Sequence, residues 1–230
     1  MGLAAIMPAD SANNSFGSGE ENPRDSIAGL ISSARRGDGD SLGQLLQMYR
    51  NYLTVLAGTQ IERRLQPRMS PSDVVQETML RAHANFAQFR GASEPELVSW
   101  LRQILVNNLA RFVEQHVLAA RRDVRREVSI ERLGNALEQS TIQLAALLPA
   151  GSRSPSAAAQ QREEAVVLAD RLALLAADYR EVLMLRNLQG LPFETIAEQM
   201  GRSVSATRML WLRAIEKLRG LYSGDQLDEG

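Results

Sequence analysis

An all-α protein of two small helical domains joined by a flexible linker is what this 230-residue sequence predicts. Three observations carry that expectation. Apolar residues recur three and four positions apart through two separate blocks, the period of a helix with one buried face. Alternation of apolar and polar residues with the two-residue period of a strand is nearly absent. Between the blocks, "ALLPAGSRSPSAAAQQREE" interrupts the periodicity with Pro, Gly and Ser and reads as a linker.

The elements follow in order. Residues 1–25 are polar, rich in Gly, Ser and Asn, and acidic through Asp10, Glu20, Glu21 and Asp25, so they are expected to be a disordered extension. The first helical unit spans 26–127. Its opening helices place Ile27, Leu30 and Ile31, then Leu42, Leu45, Leu46, Tyr49 and Leu53, on one face each, with "GDGD" as the break and Asp40 as the candidate cap of the second. "SPSDVVQETMLRAHANF" starts a further helix, with Ser70 as N-cap and Pro71 in the first turn. "FRGASEPE" is a loop. A long helix, or two abutting ones, follows, with a buried stripe expected along Leu97, Trp100, Leu101, Ile104, Leu105, Leu109 and Phe112. Residues 128–163 are the expected linker. The second unit, 164–222, ends in two short helices, and 223–230 form an acidic tail through Asp225, Asp228 and Glu229.

Composition narrows the function. The chain has no cysteine, which removes disulfides, thiol catalysis and cysteine-ligated zinc and fits a cytoplasmic protein. Its two histidines, His83 and His116, are too few and too far apart to suggest a metal site. No window approaches the ~18 apolar residues of a membrane span, and the N-terminus lacks a secretory signal. The adjacent Glu163 and Glu164 do not face each other on a helix, and no phosphate loop or nucleophile motif appears, so no catalytic site and no cofactor are expected. The net charge of −1 announces no nucleic-acid partner, but its distribution is uneven. Arg102, Arg111, Arg121, Arg122, Arg125 and Arg126 gather in the first unit. Arg202, Arg208, Arg213, Lys217 and Arg219 gather in the second. Arginine forks suit phosphates and guanine edges, although the same clusters suit an ordinary solvated helix face.

"FETIAEQMGRSVSATRMLWLRAIEKLR" has the spacing of a helix-turn-helix. Ile196 faces the core, and Ala197 is small where two helices cross. Gly201 can take the left-handed conformation that ends the first helix, and Ser203 can cap the second. Val204, Thr207, Trp211, Ala214, Leu218 and Leu221 form one apolar stripe. Opposite lie Ser205, Arg208, Met209, Leu212, Arg213 and Glu216, placed as a recognition helix places residues against base edges.

With those residues assembled, the chain resembles bacterial RNA polymerase sigma factors of the sigma-70 family, in the extracytoplasmic-function (ECF) group. "SPSDVVQETMLRAHANFAQFRG" resembles region 2.2, with a D-x-x-Q-E-T core at Asp73, Gln76, Glu77 and Thr78. "SWLRQILVNN" resembles the W-L-x-x-I-x-x-N that follows, at Trp100, Leu101, Ile104 and Asn107. "LAADYREVLMLRNLQGLPFETIAEQMGRSVSATRMLWLRAIEKLR" resembles region 4. The ordered pair of blocks is far more specific than the helix-turn-helix alone.

The resemblance implies a promoter-specificity subunit without catalysis of its own. Its partners would be core RNA polymerase (the clamp helices of the large subunit and the flap), promoter DNA and, as in many relatives, an anti-sigma factor, with no membrane insertion. Asp73, Gln76 and Glu77 would contact the clamp helices. Phe89, in the loop to Glu94, together with Asn107, Arg111, Arg121 and Arg122, would meet the opened minus-ten element. Ser205, Arg208, Met209, Leu212, Arg213 and Lys217 would read the minus-thirty-five duplex. Local chemistry allows plainer roles beside these: Asp73 and Glu77 also favour a helix N-terminus, Asn107 can be a structural hydrogen-bonding residue, and Trp100 lies on the core stripe. The chain departs from many relatives at Arg111, Met209 and Leu210, which bears on promoter sequence. The runner-up is a two-domain regulator with a LuxR-type helix-turn-helix, suggested by "REVLMLRNLQG" before "TIAEQM". The "DVVQET" and "WLRQILVNN" blocks speak against it.

Overall fold

The computed structural model describes residues 23–61, 70–114, 130–147 and 157–224, and every regular element among them is helical. The N-terminal helices are α1 (Pro23–Arg35), α2 (Gly39–Met48), α3 (Arg50–Gln60), α4 (Pro71–Asn85) and α5 (Glu94–Val113). After them come α6 (Ile130–Ala145), α7 (Ala157–Leu174), α8 (Ala177–Leu183), α9 (Phe193–Met200) and α10 (Val204–Gly224). The expected disorder of the first residues, the linker residues 148–156 and the acidic tail beyond Gly224 lie outside the described residues.

Local chemistry sets most of the boundaries. Ser70 Oγ accepts from the Asp73 N–H at 3.1 Å, and Pro71 occupies the first turn of α4. α2 is capped by Asp38 rather than by Asp40. The Asp38 carboxylate accepts from the Asp40 N–H at 3.1 Å and from Ser41 Oγ at 2.5 Å, because the chain enters the helix one turn position earlier than the "GDGD" pattern suggested. Those bonds hold the Asp38 carboxyl below the usual carboxylate range, the Ser41 hydroxyl contributing most. α8 runs into a wider π-type turn, Met184–Leu188, that ends at Gly190 with φ 67°. Gly201, at φ 64° and ψ 37°, closes α9 in the left-handed conformation.

α3 lies at the centre, against α4, α5, α6 and α7, while α8 and α9 pack on α10. Tyr52, Leu53 and Leu56 of α3 are fully buried. α5 buries a wider face than the single stripe expected. Leu97, Leu101, Leu105 and Leu109 are buried as the spacing predicts, but so are Val98, Arg102, Val106 and Ala110, because α6 and α7 cover a second side of the helix. Trp100, Ile104 and Phe112 are half-buried at its margin.

The expected linker differs most from expectation. Ile130–Ala145 is a 16-residue helix with Leu137, Thr141 and Leu144 buried against α3, α5 and α7. Arg102, read as part of a basic solvent face, is only 8% exposed. Its guanidinium pairs with Glu138 of α6, which also reaches Arg162 of α7 at 3.6 Å. A buried arginine is tolerated because a carboxylate accompanies it. No described helix is long and apolar enough to cross a membrane.

Candidate polymerase and promoter interfaces

α4 divides into two faces. Val74, Val75, Thr78 and Ala82 point into the bundle, and Asp73 and Gln76 point to solvent, with Glu77 half-buried and paired to Arg81 one turn on. Asp73, Gln76 and Glu77 therefore share one side of the helix, as their spacing predicts. Leu80 joins them there at 61% exposure, seven positions from Asp73. The sequence signal for it was available: Leu80 falls off the buried Val74–Thr78–Ala82 stripe.

The loop between α4 and α5 is held from several sides. Phe89 is 5% exposed, with its ring 5.6 Å from Phe86 and 5.2 Å from Trp100. The Arg35 guanidinium sits 5.6 Å above the Phe89 ring and donates to the Gly91 carbonyl. A Cβ on Gly91 would lie 2.6 Å from both the Phe89 ring and Glu96 Cβ, so only glycine fits this approach. Glu96 reaches back to accept from Ser93 Oγ at 2.7 Å and from the N–H groups of Ala92 and Ser93 at 2.8 and 3.0 Å. This box caps α5 and holds the Glu96 carboxyl below its ordinary range, the Ser93 hydroxyl being the largest cause. Phe89, expected to meet an unstacked base, is instead packed inside the loop's aromatic cluster. Phe86 just after α4, Trp100 of α5 and Arg35 of α1 surround it, contacts that spacing along the chain does not reveal.

On α5, Asn107 and Arg111 are exposed one turn apart, with Asn107 Oδ1 accepting from Gln103 at 3.2 Å. The neighbouring Asn108 is the structural asparagine. It is buried and donates to Thr78 Oγ1 of α4 at 3.0 Å, while Thr78 donates to the Val74 carbonyl at 2.7 Å. Arg121 and Arg122 lie outside the described residues.

α10 separates into the two faces expected of it. Thr207, Ala214 and Leu218 are buried, with Val204, Trp211 and Leu221 half-buried beside them. Met209 and Leu212 are each 51% exposed, and Ser205, Arg208, Arg213 and Lys217 are exposed with them. Ser203 Oγ accepts from the Ala206 N–H at 3.2 Å and so caps the helix. Trp211 packs edge-on against Phe193, centroids 5.7 Å apart, and donates through Nε1 to Asn187 Oδ1 at 2.9 Å.

Phe193 was not singled out by sequence reasoning, yet it organises the basic face. The guanidinium groups of Arg186 and Arg208 lie 4.7 and 5.5 Å from its ring, and Arg208 is also 3.5 Å from the Glu194 carboxylate. Arg202 is paired with Asp178, which ties the turn to α8. The result is a basic and apolar helix face standing clear of the core, able to contact phosphates, guanine edges and thymine methyl groups.

Residues 165–218 match the family described as Sigma-70, region 4. The ECF RNA polymerase sigma-E factor of Haemophilus influenzae is 25% identical over 189 residues, covering 82% of this chain and 91% of that protein. The ECF RNA polymerase sigma-E factor of Escherichia coli K12 is 26% identical over 189 residues, covering 82% and 90%. The ferric citrate uptake sigma factor FecI of the same strain is 34% identical over 83 residues, 36% of this chain and 48% of that protein. A solved complex of CnrH with the cytosolic domain of CnrY aligns over 87% of this chain at 21% identity, with a TM-score of 0.29, too low to relate the two helix arrangements.

Proposed function

Because this chain belongs to the ECF group of the sigma-70 family, we propose specific faces for the work of a sigma factor: binding core RNA polymerase and directing it to promoters. The observation that carries the assignment is the division of α10, within the matched segment, into a buried stripe and an exposed face of Arg208, Met209, Leu212 and Arg213. That face enters the major groove of the minus-thirty-five element, with Ser205 near the helix start and Lys217 on phosphate further along. Arg208 arrives supported by Phe193, so it loses less rotamer freedom on binding than a free arginine does.

The α4 face of Asp73, Gln76, Glu77 and Leu80 docks on the clamp helices of the large polymerase subunit, and the C-terminal unit engages the flap. Asn107 and Arg111 of α5 face the opened minus-ten strand, which calls for a basic groove and stacking platforms. Arg121 and Arg122 belong to the same proposal. Nucleotidyl transfer is the polymerase's chemistry, so the chain acts in the cytoplasm as a specificity subunit and supplies no reacting group. Control by an anti-sigma factor is part of the proposal and is tested by co-purification. The regulator reading is not favoured, since the resemblance to sigma-E factors runs through both units.

The experiment is run-off transcription with purified core polymerase on fragments of the source genome. Promoter-dependent starts above core alone are expected, and their absence would overturn the reading. Asp73→Ala combined with Gln76→Ala is expected to weaken capture of core polymerase at least tenfold while leaving the protein folded. Unchanged capture would remove the α4 face from the assignment.

A further inference from the structure

We propose that Arg35 of α1 is a positioning residue for the minus-ten site. It fixes the loop between α4 and α5 from outside, and that loop bounds the face along which the opened strand lies. The role at the promoter rests on the sigma-factor reading; the tie itself does not.

Arg35 ends α1 and Arg36 follows it, yet the two side chains behave differently. Arg36 folds back on its own helix and donates to the Ser32 and Ser33 hydroxyls at 2.8 and 2.9 Å. Arg35 reaches a residue 56 positions along the chain, donating to the Gly91 carbonyl, and its guanidinium carbon lies 5.6 Å from the centre of the Phe89 ring. α1 packs chiefly on α2 and makes only a small contact with α5, and Arg35 is exposed, so burial does not force this reach. A cation suits the C-terminal end of a helix, but the dipole does not direct it to a distant loop.

The tie fixes one peptide unit. The Gly91 carbonyl and the Ala92 N–H belong to the same plane. The carbonyl accepts from Arg35, and the N–H donates to Glu96 at 2.8 Å. With a cation on one edge and a carboxylate on the other, the plane cannot rotate without breaking a charge-assisted bond. The next N–H, that of Ser93, also donates to Glu96, at 3.0 Å. Glu96 makes its bonds in capping α5, whereas Arg35 acts on the loop.

The loop stands at one end of the proposed minus-ten face. Trp100, Gln103, Ile104, Asn107 and Arg111 recur three and four positions apart on α5, and each is half-buried or exposed. Asn107 lies two turns beyond Trp100, about 10.5 Å along the axis and in nearly the same direction. Phe89 packs on Trp100 with centroids 5.2 Å apart, so the loop walls the N-terminal end of this face. A strand running from Arg111 past Asn107 toward the start of α5 meets the loop next, where Arg90, Ala92 and Ser93 are exposed. Holding unstacked bases favours a wall fixed beforehand, because ordering a loop on binding costs affinity. Arg35 supplies that order. Lysine is a poor substitute, since a point-charge ammonium lacks the planar fork that covers a ring and reaches a carbonyl together.

The test uses Arg35→Ala and Arg35→Lys in the full-length protein. In the free protein, the Ala92 and Ser93 amides of Arg35→Ala are expected to exchange with solvent about threefold faster or more, with the melting temperature within about 2 °C of wild type. Unchanged exchange would overturn the tie. With core polymerase, on a promoter from which the wild type starts, closed-complex affinity is expected to stay within about twofold. The rate of minus-ten opening, read from permanganate reactivity of unpaired thymines, is expected to fall about fivefold or more. Unchanged opening, or affinity and opening lost in equal proportion, would overturn the positioning role. Arg35→Lys is expected to recover less than half of the lost rate. Full recovery would show that charge alone carries the effect, and would also overturn it. Absence of promoter-dependent starts from the wild-type chain would count against the sigma-factor reading, while amide exchange would still decide the tie.

Discussion

Trp211→Ala and Arg213→Ala lie two residues apart on α10, and the structure assigns them different consequences. Trp211 is half-buried, packs edge-on against Phe193 and donates to Asn187. Full truncation of a buried Trp costs about 3–5 kcal/mol. Half burial scales this to roughly 2 kcal/mol, and losing the indole hydrogen bond adds about 1 kcal/mol. A loss near 3 kcal/mol is a large share of the ~5–15 kcal/mol that holds a domain folded. For a chain of this size it lowers the melting temperature by about 6–12 °C. Arg213 is exposed, and surface changes of that kind stay within about 0.5 kcal/mol. The assay is thermal unfolding followed by circular dichroism, paired with promoter-duplex binding at fixed salt. Arg213→Ala is expected to melt within about 2 °C of wild type and to bind more weakly. Equal loss of stability in both variants would refute the division of α10 into a core face and an exposed face proposed to read DNA.

Four further outcomes are expected. Asn108→Ala removes a buried bond between α4 and α5 and leaves Thr78 Oγ1 without that donor, so chemical denaturation should register about 1–3 kcal/mol of lost stability. Gly91→Ala forces the loop away from Phe89 and Glu96, which should disturb the aromatic cluster and be visible as a change in the near-ultraviolet dichroism of Trp100. Glu96 has a folded pKa below its ordinary value of 4.5, so its contribution is present above that value and disappears as the pH falls through the lower folded one. The stability difference between wild type and Glu96→Ala should accordingly be full at neutral pH and shrink below about pH 4 in urea titrations at several pH values. Removing Arg208 and Arg213 together should flatten the dependence of promoter affinity on salt by about one unit of slope per lost phosphate contact, measured by fluorescence anisotropy between low and moderate salt.

Much of this protein was legible along the chain because helices are local. The four-residue reach of a helical hydrogen bond, the cap at Ser70, the left-handed glycine at Gly201 and the two faces of α10 all depend on near neighbours, and the structure has them where the spacing put them. The exposed α4 face followed for the same reason. Misplacements came where contact across space decided the outcome. Phe89 looked available on a loop, yet Phe86, Trp100 and Arg35 enclose it. Arg102 looked like one more basic surface residue until Glu138, 36 positions away, proved to be its partner. The stretch 130–145, expected as linker, carries Leu133, Leu137, Thr141 and Leu144 at helical spacing and packs that side against α3, α5 and α7. The sequence by itself determined an all-helical chain, several of its helix starts and stops, and the exposed faces of α4 and α10, since 3.6-residue periodicity and capping chemistry are short-range. Only the tertiary structure decided which charges are buried, which aromatic rings are covered and how α7 joins the two units. Those depend on which distant surfaces meet and exclude water, and no local pattern encodes that.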